Sequence, residues 1–486
     1  MKLGGKLQVS QQLRTKKYSA TELCTSSLKE VAAAKTLNAF VRITEDLAKT
    51  SAAVSDKYLG EGNARSDLEG IPIAVKDNFC TANVTTTCAS NMLADFIPPY
   101  NATVVEKLHR AGAVLIGKTN LDEFAMGCGT VESIFGTTLN PHAPVKDSEG
   151  IKWRTCGGSS GGSAVAVAAN TCLAAIGSDT GGSVRNPASY CGIIGYKPTY
   201  GLVSRYGLIP LVNSMDVPGI LSKDVDGVVS VLNVIGGHDP KDSTTVKDEF
   251  QPVDVSVSIH PRKIHVGVPR EFDIPQLSGE VREVWKSVMD TFKKNDIKVS
   301  QVSMPHTAFS LPTYSVLNCC EVASNMSRYS GLFFGLRSEE EFSAEQLFAE
   351  NRKHGFGKIV RQRILAGNFF LLRRNYMKYF AQALKVRRLI VEDFKNVWRS
   401  GVNILLTPTT LTTASLLDDF LSQDNSLQDF CTQPSNMSGC PAISIPITLS
   451  KDSLPISMQL LAPNFSDEHL LRVSKWLESK VQFPFI

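Results

Sequence analysis

Two glycine-serine loops and one lysine are the residues of this 486-residue chain whose types and spacing could do chemistry. The first loop reads Gly157-Gly158-Ser159-Ser160-Gly161-Gly162-Ser163 and runs directly into the small apolar stretch AVAVAAN. The second reads Gly177-Ser178-Asp179-Thr180-Gly181-Gly182-Ser183-Val184-Arg185 and follows the apolar run AAI. A phosphate cradle needs Lys-Ser/Thr directly after its last glycine, so that an ammonium reaches the phosphates. Gly162 is followed by Ser163-Ala164 instead, and no cation appears before Arg185. Gly127-Cys128-Gly129 fails as a dinucleotide fingerprint because Glu132 stands where the third glycine belongs. A flexible tether is excluded by context, since a linker is exposed and polar at both ends.

Serine after paired glycines at a strand end suits a nucleophile, because the adjacent backbone N–H groups can hold an oxyanion. A serine hydroxyl is a poor nucleophile until a base lies within hydrogen-bond reach. No histidine is close in sequence to either loop, and His109 and His238 are remote. Lys76 ends the apolar run IPIAV, where burial would disfavour the ammonium and make the amine a base near neutral pH. Taken alone, a lysine at a strand end reads as one that snorkels to solvent. Its weight comes from the two serine loops beside it.

The elements that must position these groups alternate. Two helices are expected in 20–60, a buried strand in 70–79, a helix at 102–110 and a strand at 113–119. A helix over AVAVAANT and a strand over CLAAIGSD flank the loops, which argues for an α/β fold with a mixed, mainly parallel sheet covered by helices. One large domain is expected, with first helices in 1–65, a catalytic core in 66–238, a polar connection at 239–263 and a second α/β and helical part in 264–486. In that last part, strands are expected at IHVGVP, IKVSQVSM, VNILLTPTT and PAISIPITLS, with helices over VREVWKSVMDTFKK, roughly 340–400, and DEHLLRVSKWLESKV. Met377, Phe380 and Leu384 have helical spacing and read as core packing.

Composition sets the remaining bounds. The net charge is +4 with both signs interspersed, which does not mark a nucleic-acid stripe. Eleven scattered cysteines without a C-x-x-C pair point to reduced, mostly buried thiols rather than a disulfide or metal framework. That usage suits cytosol or mitochondrial matrix. Five basic residues precede Glu22, the first acid, which resembles a transit peptide, although an ordinary first helix is the stronger reading.

The stretch GGSSGGSAVAVAANTCLAAIGSDTGGSVRNPA, together with GIPIAVKDNF, resembles the defining segment of the amidase signature family. The interval between Ser159 and Ser183 matches the family's two serines. The resemblance implies a Ser–Ser–Lys triad, with Ser183 as the acylated nucleophile, Ser159 as the middle serine in a cis peptide, and Lys76 as the base. It also implies an oxyanion hole from the N–H groups of Thr180, Gly181, Gly182 and Ser183.

Further segments, TTCASNML, GKTNLDEFAMG, YCGIIGYKPTYGLVSRYGLIP and MSRYSG, are similar to the family's glutamine-hydrolysing branch, the A subunits of glutamyl-tRNA(Gln) amidotransferases. That branch implies hydrolysis of glutamine to glutamate and ammonia, with substrate contacts at Tyr314, Arg363 and Asp429. Arg363 is expected to pair with the α-carboxylate and Asp429 with the α-ammonium. No cofactor or metal is expected in this chain. ATP and Mg belong to a partner B subunit that amidates Glu-tRNA(Gln), and a C subunit completes a heterotrimer. Cys128-Gly129, where the branch has glycine then serine, and Gln362, in place of an arginine, are departures. Asn101 resembles the animal mitochondrial form, so the matrix is expected, with a bacterial-type cytoplasm as the alternative. The competing readings are a stand-alone amidase for other small or lipid amides and a silent scaffold for the partner.

Overall fold

The computed structural model describes residues 6–147, 150–339, 343–481 and 483–485. Its centre is an eleven-stranded sheet. In chain order the strands are β1 (Phe40–Ile43), β2 (Pro72–Lys76), β3 (Val114–Thr119), β4 (Ala174–Asp179), β5 (Ile194–Lys197), β6 (Val217–Ser222), β7 (His265–Pro269), β8 (Lys298–Val302), β9 (Ile404–Pro408), β10 (Ala442–Leu449) and β11 (Pro455–Leu461). Across the sheet they lie in the order β1-β3-β2-β4-β6-β5-β10-β11-β9-β7-β8.

The sheet is mixed and flanked by helices. Parallel pairing joins β2 to β3 and β4, and β7 to β8 and β9. Between those flanks the pairs β4/β6, β6/β5, β5/β10, β10/β11 and β11/β9 are antiparallel, as is β1/β3 at the edge. The antiparallel share is larger than the helix–strand alternation suggests. Where β10 returns as β11, the link is a short turn and not the crossover helix that parallel pairing requires. All residues of β2, β4, β5, β6, β9 and β11 are buried, so these strands are covered on both faces.

Helices pack on the sheet where the apolar pattern placed them. Ala20–Ala33 and Glu45–Gly60 pack together and against β3. Ala20–Ala33 starts at a capping box, in which Ser19 and Glu22 satisfy each other's backbone N–H. The first helix is Lys6–Arg14, and Val9 and Leu13 bury into the main core. The polar connection holds no helix or strand before a short turn at Pro261–Lys263, yet β7, β8 and β9 beyond it join the same sheet. A second core forms where Ser310–Met326, Lys358–Leu371 and Phe380–Arg399 pack together. Met377 and Leu384 lie outside it: they are 69% and 44% exposed, and only Phe380 packs against it. Met377 falls in the turn between helices Arg373–Tyr376 and Phe380–Arg399, so the spacing that suggested one continuous helix does not put the three on one face.

All eleven cysteines are free, and all but Cys128 and Cys319 are buried. Among the described residues no helix is long and apolar enough to cross a membrane, and no cluster of His, Cys, Asp and Glu could hold a metal.

Candidate active site

Lys76 sits at the carboxyl end of β2, between β3 and β4, with no exposed surface. Its Nζ lies 2.8 Å from Ser159 Oγ, 2.8 Å from Ser160 Oγ, and 3.0 Å from Ser178 Oγ. Burial lowers its pKa to about 7, against the opposing pull of Asp122 and Asp179. The amine is therefore available as a neutral base. Ser160 Oγ lies 3.2 Å from the Ser178 carbonyl and donates its one hydrogen there, so it can only accept from Lys76. That leaves Ser159 able to donate to the lone pair of the amine. The Gly158–Ser159 peptide is cis. Gly158 admits no side chain, because a Cβ there would lie 2.4 Å from Asp122 Oδ2 and 2.7 Å from the Gly129 nitrogen.

The second loop begins where β4 ends at Asp179. This carboxylate accepts N–H groups from Gly182 (3.0 Å) and Val184 (3.1 Å) and grips Arg185 through Nη2 (2.8 Å) and Nε (3.0 Å). Burial alone would raise the Asp179 pKa; the Arg185 guanidinium overrides it and holds the carboxyl at about 2. Arg185 in turn donates to Thr432 O, Ser435 Oγ, Gln459 Oε1 and Asn436 Oδ1, so the loop is tied to β11 and the segment before β10. Ser160 N donates to Ser183 O at 3.0 Å and joins the two loops. Ser183 is 6% exposed, whereas Lys76 and Ser159 have no exposed surface, so the inner part of the proton chain is sealed while the second serine keeps a small exposed surface.

The expected oxyanion hole differs in one donor. Gly182 N–H is already given to Asp179, while those of Thr180, Gly181 and Ser183 meet no acceptor among the described residues. Thr180 Oγ1 donates to buried Asp216 Oδ1 at 2.7 Å, which fixes the start of the turn. Gly182 has φ +142°, and a Cβ there would stand 2.2 Å from Thr432 Oγ1. Only glycine fits that place.

Tyr314, Arg363 and Asp429 come from three separate segments and meet at this loop. A Cβ on Gly181 would lie 2.9 Å from Tyr314 Oη, and one on Gly182 would lie 2.9 Å from Asp429 Oδ1. Arg363 donates to Asn318 Oδ1 at 3.0 Å, and Asn318 Nδ2 donates to Tyr314 Oη at 3.2 Å. Burial raises the Asp429 pKa to about 7, helped by Asp179 and opposed by Arg185 and Arg363. One cation and one anion thus flank the Ser183 loop. Cys128 belongs to the same cluster: although the residue is only half-buried, the desolvation of its thiol, then Asp429 and Asp122, push its pKa up, and Arg363 opposes them. Gln362 is exposed.

Sequence reasoning missed Ser160, Ser178, Asn318, Asp216 and the Asp179–Arg185 pair. Ser160 and Ser178 were visible inside the two loops, and Asn318 lies one helical turn after Tyr314, within contact spacing.

Comparison with known proteins shows which family the whole chain resembles. The family described as Amidase matches residues 22–471. The chain is 51% identical to a mouse (Mus musculus) protein, the A subunit of mitochondrial glutamyl-tRNA(Gln) amidotransferase, over 99% of this chain and 94% of that one. The protein of the same name from Drosophila pseudoobscura pseudoobscura is 54% identical over 92% of this chain and 90% of its own length. Among solved structures, the A subunit of glutamyl-tRNA(Gln) amidotransferase from Thermotoga maritima is similar with a TM-score of 0.78 at 34% identity, covering 96% of this chain and 94% of that one. The peptide amidase of Stenotrophomonas maltophilia is similar with a TM-score of 0.83 at 25% identity, covering 99% of this chain and 97% of that one. With both serine loops gathered at one buried lysine and the match running nearly end to end, this chain belongs to the amidase family.

Proposed function

We propose that this chain is the glutaminase subunit of a tRNA-dependent amidotransferase, working through Ser183, Ser159 and Lys76. Neutral Lys76 takes the Ser159 proton while Ser159 takes that of Ser183, and Ser183 Oγ attacks the carboxamide carbon of glutamine. The N–H groups of Thr180, Gly181 and Ser183 hold the oxyanion, each donor contributing ~10²–10³ in rate. The proton returns through Ser159 to the departing nitrogen, so ammonia leaves and a γ-glutamyl ester remains on Ser183. Water, deprotonated by the same relay, cleaves the ester to glutamate and restores the serine.

The observation that carries the choice of glutamine is the pair of opposite charges beside the Ser183 loop. Arg363 suits an α-carboxylate, and Asp429, whose pKa burial raises to about 7, suits an α-ammonium, whose positive charge favours the ionised carboxylate. A neutral amide offers nothing to that pair. The relatives are named as A subunits of a mitochondrial amidotransferase, which supports the wider setting. In that setting a B subunit uses ATP and Mg to amidate Glu-tRNA(Gln) with the released ammonia, a C subunit completes the assembly, and the reaction belongs to the mitochondrial matrix.

Ammonia release from glutamine by the purified chain, alone and with the B and C subunits, tests this reading. Release that depends on glutamine supports it. Cleavage of other amides with glutamine ignored, even with the partners present, refutes it in favour of a stand-alone amidase.

A further inference from the structure

Residues 351–391 contain eleven lysines and arginines and no aspartate or glutamate, although the whole chain carries only +4. The interspersed charge of the chain breaks down here, on helices Lys358–Leu371, Arg373–Tyr376 and Phe380–Arg399. Arg373, Arg374, Lys378 and Lys385 are exposed and have no salt bridge among the described residues. In the same segment stand Leu365 (70% exposed), Phe369, Leu372, Tyr376, Met377 (69%) and Leu384, all at least 40% exposed. Ring contacts between Phe369 and Tyr379 (5.9 Å) and between Tyr376 and Phe380 (5.3 Å) join the three helices into one surface. Contiguous exposed apolar side chains of this size mark an interaction site.

We propose that this face docks a protein partner whose surface is apolar at its centre and acidic around it, the partner subunit of the amidotransferase. The inference rests on the function proposed above. Charge complementarity calls for an acidic partner. Nucleic-acid surfaces are read mainly by polar and charged groups, which leaves the exposed leucines and methionine without a counterpart. A helix lying in a membrane separates its apolar and charged faces, whereas Arg361, Leu365, Asn368 and Leu372 share one face at i, i+4, i+7 and i+11. The same helix carries Arg363 on its inner side, so the partner sits directly on the element that holds the substrate cation.

The test measures binding of the full chain to co-expressed B and C subunits for wild type, Leu365→Asp, Arg373→Glu/Arg374→Glu and Lys378→Glu/Lys385→Glu. Lys286→Glu, on the exposed side of helix Gly279–Lys294, serves as the control. The proposal expects at least about tenfold weaker binding for the three face variants, unchanged thermal midpoints and wild-type binding by the control. Because there are three independent variants, one that unfolds is replaced by another. Wild-type binding by all the folded face variants overturns the proposal and leaves the function standing. The proposal also fails if wild type binds tRNA or phosphatidylserine vesicles and these variants lose that binding while keeping the subunits. A wild-type chain that hydrolyses glutamine but ignores B and C overturns the docking and the subunit role and leaves the glutaminase chemistry standing, whereas one that does neither overturns the functional reading and the named partner with it.

Discussion

At the scale of residues, a lysine can accept a serine proton only when it is neutral, and the surroundings of Lys76 make it so near pH 7. Two groups then lose their working form as pH falls: Lys76 gains a proton and Asp429 loses its charge, both at about 7 in the free protein. kcat/KM for glutamine should therefore fall below about pH 7 with a limb steeper than one proton. With glutamine bound, its ammonium keeps Asp429 ionised, so kcat should follow Lys76 alone. Asp429→Asn should raise KM and reduce the limb of kcat/KM to one proton; a steady-state pH series on both proteins checks this. These residues were legible to different degrees. Lys76, Ser159 and Ser183 stand in dense glycine-serine segments or beside them, whereas Ser178 looks like one more small residue until its hydroxyl is seen 3.0 Å from the amine. Tyr314, Arg363 and Asp429 carry no local signal, and only the resemblance to a family pointed to them.

At the scale of elements, the turn after β4 depends on one glycine and one buried ion pair. Gly182→Ala combines a φ of +142° with a Cβ 2.2 Å from Thr432 Oγ1, so it should destabilise the fold by ~1–3 kcal/mol and lower kcat. Arg185→Met leaves the Asp179 carboxylate buried without its cation and should cost ~3–5 kcal/mol. Urea unfolding of both variants against wild type measures these losses. Elements with a clear apolar period were legible: the last helix, DEHLLRVSKWLESKV, is Asp467–Val481. The helix Ser310–Met326 was not, because its buried side includes Thr313, Asn318 and Asn325 and so blurs the pattern. Strand β11 was missed although Ile456, Met458 and Leu460 alternate with Ser457 and Gln459, because the run is short and Pro455 opens it like a turn. Tyr314 lies on that unforeseen helix.

At the scale of the whole molecule, one sheet runs across both sides of the polar connection, so Lys76 on β2, Ser159 in the loop before helix Gly161–Ala168, Ser183 in the turn after β4 and the substrate groups from 310–430 rest on a common frame. The fold class was legible from the alternation of elements, but strand order was not, because β10 joins β5, and β11 joins β9, through contacts far apart in sequence. The central claim is that Ser183 carries the acyl group. It is tested most directly by acid-quenching the chain, with its partner subunits, during turnover of glutamine and mapping the adduct by peptide mass spectrometry. The account predicts one γ-glutamyl group on Ser183, and in Ser183→Ala no adduct and a loss of at least ~10³-fold in ammonia release. An adduct on Cys128 or Ser159, or wild-type ammonia release by Ser183→Ala, would contradict it.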